Sequence, residues 1–429
     1  MTDETALGPS GEGDQRLARR AGLGLVDQVV SALSNAANPL LAIVLFDRQT
    51  AGPMLAALSI GYVVAALNRA FVGEVLVAQA SRHDGADRDR LVRNGAAASL
   101  AGGLVVAAVL VAVWALWPRH GRIDLAQLIW VAPLLPAVLL QDAGRYAALA
   151  ARRPARALVI DSVWVLVQAA MIVVLLAAGK VTSGGLLLSW GVGAAAGAVV
   201  WLVRDRVNPL AGSPRAWLAE TRYLSGWFTA TALVGQGQVL AVVFAVVGLL
   251  GDAAFAGLRF VQTAVLQPVQ NLVQAMMGLL VPRSSRLAAA RDVAALRRQT
   301  RVLTLGFAGL AVVVLAVVVP LARPLLQAFL PKYLDIAPLA LPIGLQAGIY
   351  MIQIPYAAAL RGMHRARLLF VQYAIFTVTS LSGLVIGARA GGLLGTAWGL
   401  CAGAVTGLGA MMILYRWALA RLATPAGGA

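Results

Sequence analysis

The sequence is short of charge, of histidine and of cysteine. Only 12% of its 429 residues are Asp, Glu, Lys or Arg, about half the share of a soluble domain, which leaves no room for a sizeable water-soluble module. A single cysteine, Cys401, excludes an intramolecular disulfide and reads as a small packing residue within an apolar run. The three histidines, His83, His120 and His364, fall in predicted loops, and there is no His-Glu-x-x-His pattern and no cysteine pair. No metal site, cofactor or catalytic residue is therefore expected, and the chain does not read as an enzyme. Gly179-Lys180 is followed by Val181, so the phosphate-cradling loop of nucleotide-driven engines is absent as well. Any work must draw on a gradient, a membrane potential or a partner.

What is present is apolar. The hydrophobic share is 60%, with 44 glycines and a mean hydropathy of +0.80, the profile of a polytopic membrane protein in which about 20 residues make one crossing. Apolar runs predict helices at 22–46, 53–79, 95–118, 125–150, 157–178, 184–203, 225–250, 254–281, 302–322, 337–360, 368–388 and 391–415. Of the 35 basic residues, 25 fall on one side of this arrangement, 7 on the other and 3 within spans. That bias places the arginine-rich side and both termini in the cytoplasm, in the cell (inner or plasma) membrane. It also accounts for the net charge of +17 without a nucleic-acid partner. A second reading of the basic face is that anionic inner-leaflet lipids dock there.

The expected fold is all-α, with about 12 transmembrane helices in two six-helix bundles related by a pseudo-two-fold along the membrane normal. Residues 1–15 read as a disordered cytoplasmic tail, 16–205 as the N-terminal bundle, 206–222 as a cytoplasmic linker containing Asn208-Pro209 and Gly212-Ser213-Pro214, 223–421 as the C-terminal bundle and 422–429 as a tail. An arginine-rich stretch at 283–301 and a stretch at 323–336 on the opposite side read as loops. Val-Ala-Gln-Ala-Ser-Arg ending at Arg82 and Val-Pro-Arg-Ser-Ser-Arg ending at Arg286 are a faint trace of internal repetition. Prolines at 39, 133, 136, 268, 338, 342 and 355 interrupt helix hydrogen bonding and permit bends.

Seven ionisable residues fall within spans: Asp27, Arg69, Glu74, Asp142, Arg145, Asp161 and Arg259. Each costs on the order of 2.5–3.5 kcal/mol at membrane depth, so each should be paired, hydrated or functional. The first six lie within roughly 15 Å of the cytoplasmic boundary, at 1.5 Å per helical residue, and would line an inward-facing vestibule. Arg69, beside Asn68, can pair with Asp27. Asp142 and Arg145, spaced i, i+3, can meet on one helix face. Asp161 and Arg259 sit close enough to a boundary to snorkel. In the eighth span Gln267, Gln270, Asn271 and Gln274 share one helical face, which either lines a hydrated cavity or joins helices.

Three local segments carry a family resemblance: Asp27-Gln28-Val29-Val30-Ser31 with Ser34-Asn35, Asn68-Arg69-Ala70-Phe71-Val72-Gly73-Glu74, and Gln141-Asp142 with Arg145-Tyr146. With twelve spans in two parallel halves, the chain resembles the multidrug/oligosaccharidyl-lipid/polysaccharide (MOP) exporter superfamily, and within it the O-antigen-type (Wzx-like) flippases of polysaccharide biosynthesis. The resemblance implies a transporter that flips a lipid-pyrophosphate-linked oligosaccharide from the inner to the outer leaflet by alternating access. Arg69, Arg145, Arg259, Asn68, Gln270 and Asn271 would then bind substrate, and Asp27, Glu74, Asp142 and Asp161 would bind a coupling ion. The implied partners are a lipid-linked glycan, the membrane and glycan-assembly enzymes. Two alternatives stay open: a MATE-like Na+- or H+-coupled antiporter of cationic small molecules, and a membrane scaffold that transports nothing.

Overall fold

A computed structural model describes residues 37–80, 85–117, 124–151 and 153–423. Within them α1 covers 37–45. Helix α2 runs from Arg48 to Ala80 with a π-helical turn, Arg69–Gly73, inside it. Helix α3 is Gly85–Leu116, and α4 follows as Leu128–Val131 and Leu135–Ala150 around a 3-10 turn at Ala132–Leu134. Then come α5 (Pro154–Ala177), α6 (Ser183–Arg204) and α7 (Pro214–Leu250). Helix α8 comprises Asp252–Val261, a second π-helical turn at Gln262–Leu266, and Gln267–Ala289. Val293–Phe329 is α9; α10 opens with the 3-10 segment Pro331–Leu339 and continues as Ala340–Gly362. The segment Ala366–Ala423 is two helices, α11 (366–390) and α12 (393–423), parted where Gly391 and Gly392 leave helical geometry, the latter with φ 57°.

Among the described residues the fold is thus all-helical, and its twelve helices correspond to the twelve expected spans, the first of them from residue 37 onward. Eight helical segments among the described residues are long and apolar enough to cross a membrane, α11 and α12 counting as one. Several helices overrun the apolar runs that announced them. The stretch at 283–301 is helical except around 290–292, α7 begins at Pro214 inside the expected linker, and the expected loop at 323–336 is taken up by the end of α9 and the start of α10. Hydropathy detects only the part of a helix that lipid surrounds. Leu, Ala and Arg are strong helix formers, so the same helices continue past the apolar boundary.

Three helices end on the arginine-rich side with a basic residue in left-handed geometry: Arg206 after α6, Arg291 after α8 and His364 after α10. In each case the next amide donates five residues back, as from Val207 to the Leu202 carbonyl at 3.0 Å. Glycine usually holds this position. A basic side chain there adds charge complementary to the helix C-terminus, which offsets part of the backbone strain.

Two compact units emerge. In the first, residues 64–115 and 129–229 pack with Asn38. Its core gathers Leu76, Leu91, Ile160, Trp201 and Trp217, all buried. Glycines set the helix spacing: a Cβ on Gly144 would overlap the Trp201 ring, and one on Gly73 would fall 2.8 Å from the Tyr146 ring.

The second unit combines residues 39–63 and 116–128 with 230–429. Its α11–α12 hairpin is a backbone-to-backbone contact. Gly395, Gly399, Gly403 and Gly407 recur every fourth residue of α12 and face Gly387, Gly383, Ser380 and Phe376 of α11. A Cβ on Gly383 would fall 2.5 Å from the Gly399 carbonyl oxygen. Close approach of this kind substitutes for hydrophobic drive, which lipid cannot supply. Cys401 is buried in the same helix. The α1–α2 corner of this unit is clasped by the start of α10. Arg48 pairs with Asp335 and lies 4.6 Å from the centre of the Tyr333 ring, while Lys332 donates to the Val44 and Phe46 carbonyls that end α1. Gly52 abuts the Asp252 backbone, where any Cβ would overlap.

Gly399→Ala should lower the thermal unfolding midpoint in detergent by the equivalent of about 1–3 kcal/mol of overpacking, whereas Gly409→Ala, with open space around it, should be neutral or slightly stabilising. Asp252, ahead of the apolar part of α8, has its acid pushed up to about 6 by burial and by the nearby Asp124 carboxylate, and its Oδ1 is buried without a partner. A carboxyl raised in the folded state contributes stability below its unfolded value and loses it as pH rises through about 6. The midpoint should therefore fall between pH 4 and pH 7 in the wild type, and Asp252→Asn should flatten that slope.

Candidate functional site

Charged and polar side chains from four helices converge in the first unit. The π-helical turn of α2 is the starting point: the Glu74 amide donates to the Arg69 carbonyl, five residues back. Such a turn inserts one residue into the helix and re-aims the side chains on either side of it, and π-turns recur at functional positions. Asn68, just before the turn, is buried and committed within the protein. Its Nδ2 donates to the Leu139 carbonyl at 3.3 Å, and its Oδ1 accepts from Ser99 of α3 at 3.0 Å.

Arg69 pairs with Asp142 of α4 at 3.4 Å. The expected partner, Asp27, lies outside the described residues. The Arg69–Asp142 contact is long, the carboxylate is buried, and the arginine side chain is 40% exposed. Among the described residues the buried Arg69 Nε has no hydrogen-bond partner, and Asp142 is the one ion-pair partner of this guanidinium. Tyr146 offers it a ring face at 5.8 Å. Glu74 is exposed and within the electrostatic range of Arg69.

The i, i+3 neighbours Asp142 and Arg145 do not pair with each other as their spacing had suggested. Arg145 turns to α5, where its Nε lies 3.1 Å from Asp161 Oδ2, and the two side chains are 6% and 1% exposed. Gln141 donates to the other Asp161 oxygen at 2.8 Å. Asp161 therefore does not snorkel: Gly197 of α6, whose Cβ would press on the Ile160 carbonyl and Gln141, lets the helices close over it. Helical spacing shows which residues share a face, but not which neighbouring helix meets that face. Two acids and two arginines separated into cross-helix pairs instead of one local pair.

A second polar chain lies in the same unit. Gln168 of α5 donates to Asn38 at 3.0 Å, and Asn38 donates to the Leu186 carbonyl of α6 at 3.1 Å. Ser99, Gln168 and Tyr146 had no expected role, although lone polar residues in apolar runs are the signal that could have marked the first two.

The remaining expected residues belong to the second unit. Arg259 of α8 is half-buried, with Tyr62 the polar group in its field; no carboxylate among the described residues pairs with it. Next along α8, the second π-turn sends the Gln267 amide to the Gln262 carbonyl, and Pro268, which has no amide hydrogen to donate, follows directly. Gln270 and Asn271 are exposed, and Gln267 donates to Asn271 at 3.5 Å. Exposed amides on a membrane helix need water or a polar ligand, because lipid leaves their hydrogen bonds unmade. Among the described residues no three His, Cys, Asp or Glu side chains converge as metal ligands.

No family model matches the chain, and no curated protein matches it. Solved structures do. The fold is similar to an inward-facing multidrug resistance MATE family transporter of the MOP superfamily, with TM-score 0.67 and 14% identity over 94% of this chain and 98% of that one. It is similar to a mutant of the Vibrio cholerae MATE transporter VcmN, with TM-score 0.65 and 16% identity over 95% and 98%. It is likewise similar to the lipid II flippase MurJ in an inward closed conformation, with TM-score 0.65 and 10% identity over 95% and 90%.

Removing one member of the buried pair strands the other. Arg145→Ala should therefore cost about 3–5 kcal/mol, read as a collapse of folded yield and melting temperature. The double variant Arg145→Gln/Asp161→Asn, which keeps hydrogen bonds without charge, should recover most of that loss. A double variant as unstable as the single one would show that the charges themselves are required.

Proposed function

We propose that the chain is a membrane transporter of the MOP type that moves a lipid-pyrophosphate-linked glycan precursor from the cytoplasmic to the outer leaflet by alternating access. The observation that carries this reading is Arg259, a half-buried guanidinium on a membrane helix with no carboxylate partner among the described residues. A half-buried cation with no acid beside it among the described residues calls for an anion. Arg69 adds to it, since its single long contact with Asp142 leaves donors that a phosphate can take in bidentate fashion. Arg145 and Asn68, whose contacts lie inside the protein, would position α4 and α2, and the exposed amides Gln270 and Asn271 suit sugar hydroxyls. An inside-negative potential favours outward movement of an anion by about 2.3 kcal/mol per charge per 100 mV.

Export of cationic small molecules coupled to Na+ or H+ is the competing reading, and the fold likeness to MATE transporters favours it. Such coupling calls for a carboxylate at membrane depth that is free of arginine. Asp142 and Asp161 each carry an arginine partner, which counts against their serving that role.

The two readings separate in proteoliposomes carrying a fluorescent lipid-pyrophosphate-linked sugar under an inside-negative potential. Wild-type protein should flip the lipid. Arg69→Ala and Arg259→Gln should each reduce flipping at least tenfold, and Arg69→Lys should keep part of it. Equal movement in protein-free vesicles, wild type and variants would discard the glycan-lipid substrate and turn the assay to cationic drugs.

A further inference from the structure

A cavity of about 320 Å³ opens in the first unit on the arginine-rich side, lined by none of Arg69, Asp142, Arg145 and Asp161, with Arg88, Arg153, Arg156, Arg204 and Arg206 on its wall against only two acids, Asp89 and Asp205. The acids are already engaged: Arg156 pairs with Asp205, and Arg88 lies 3.9 Å from Asp89. Arg153, Arg204 and Arg206 are exposed and carry no ion pair among the described residues. Three guanidiniums gathered around one concavity repel each other unless something negative sits between them.

The backbone points the same way. Helix α5, 24 residues long, begins at this cavity, and its N-cap, Arg153, makes no side-chain cap. Pro154 has no amide hydrogen and the Arg156 amide donates to the Arg153 carbonyl at 2.9 Å, so what the helix end adds among the arginines is the positive pole of its dipole. One wall is apolar, formed by Trp201, Ala147 and Val207. Val199 and Val203, exposed one turn apart on α6, lead along the outside of the helix to Arg204. An acyl chain on that stripe would bring its headgroup to the cavity.

We infer that this cavity is a second anion site, distinct from the proposed transport site, and that it takes a phosphate group. Two sources share that chemistry: the headgroup of an anionic phospholipid in the adjacent leaflet, and a soluble phosphate or pyrophosphate.

Native mass spectrometry of the whole protein, eluted from detergent containing phosphatidylglycerol, phosphatidylcholine or added pyrophosphate, tests the site. Wild-type protein should retain phosphatidylglycerol and not phosphatidylcholine. Arg153→Gln/Arg204→Gln should weaken that retention about tenfold, whereas Arg298→Gln/Arg301→Gln, exposed arginines of the second unit on the same side, should not. An unchanged melting temperature for the first double variant would separate loss of binding from loss of fold; should it fail to fold, Arg206→Gly, which suits the left-handed backbone there, replaces it. Pyrophosphate retained in place of lipid, with the same dependence on Arg153 and Arg204, would support the site and assign it to a soluble ligand. Neither ligand retained by wild type, or both retained equally by the two double variants, would overturn it.

Discussion

Burying a carboxylate and a guanidinium where lipid surrounds the protein is tolerable only when each completes the other, and the Arg145–Asp161 pair sets the terms for the first unit. It requires α4 and α5 to approach within side-chain reach, which the small residues of α6 permit by letting that helix close over both. Gln141 then satisfies the second oxygen of Asp161. Because Arg145 is spent on Asp161, the neighbouring Asp142 turns to α2 and takes Arg69. One buried pair therefore leaves Arg69 as the partly exposed guanidinium of the cluster, near the exposed carboxylate of Glu74.

Backbone devices matter as much as side chains. In α2 and α8, the second helix of each half, a π-turn interrupts regular hydrogen bonding. The first turn carries Arg69, and the second leads into the exposed amides at 270 and 271. The same irregularity thus occurs in both helices, beside a charge in α2 and ahead of amides in α8. In α11 and α12 the device is the absence of side chains, with glycine backbones in direct contact. All three features follow from the weakness of hydrophobic attraction within a bilayer, where backbone geometry and van der Waals contact supply the specificity.

The proposed division of labour follows from these constraints. In the helix-buried cluster of the first unit Asp142 and Asp161 each take an arginine, and Arg69 keeps an accessible end; in the second unit, Arg259 has no acid partner among the described residues and the amides are exposed. A pyrophosphate bearing sugars has both kinds of demand, for guanidinium at one end and for neutral hydrogen-bonding groups along the rest. The cavity on the arginine-rich face adds a third concentration of positive charge, at the membrane surface, where the cost of ionisation is small and attraction to anionic headgroups is strongest.

Composition and hydropathy by themselves determined that the chain crosses a membrane about twelve times, because only a run of apolar residues can lie in hydrocarbon and the run's length sets the crossing. They also singled out Arg69, Asp142, Arg145, Asp161 and Arg259, because a charge inside such a run is conspicuous. Tertiary structure alone decided the partners. Asp142 and Arg145 are three residues apart and looked like a local pair, yet the lowest-cost arrangement joins each to a different helix. Asp161, near a predicted boundary, was expected to reach water and instead is sealed by α4 and α6. Helix ends such as 283–301 were hidden for a related reason: hydropathy reports where lipid stops, while the backbone's own hydrogen bonds carry the helix on. Periodicity along one helix assigns a residue to a face, and only the packing of the other helices decides what that face meets.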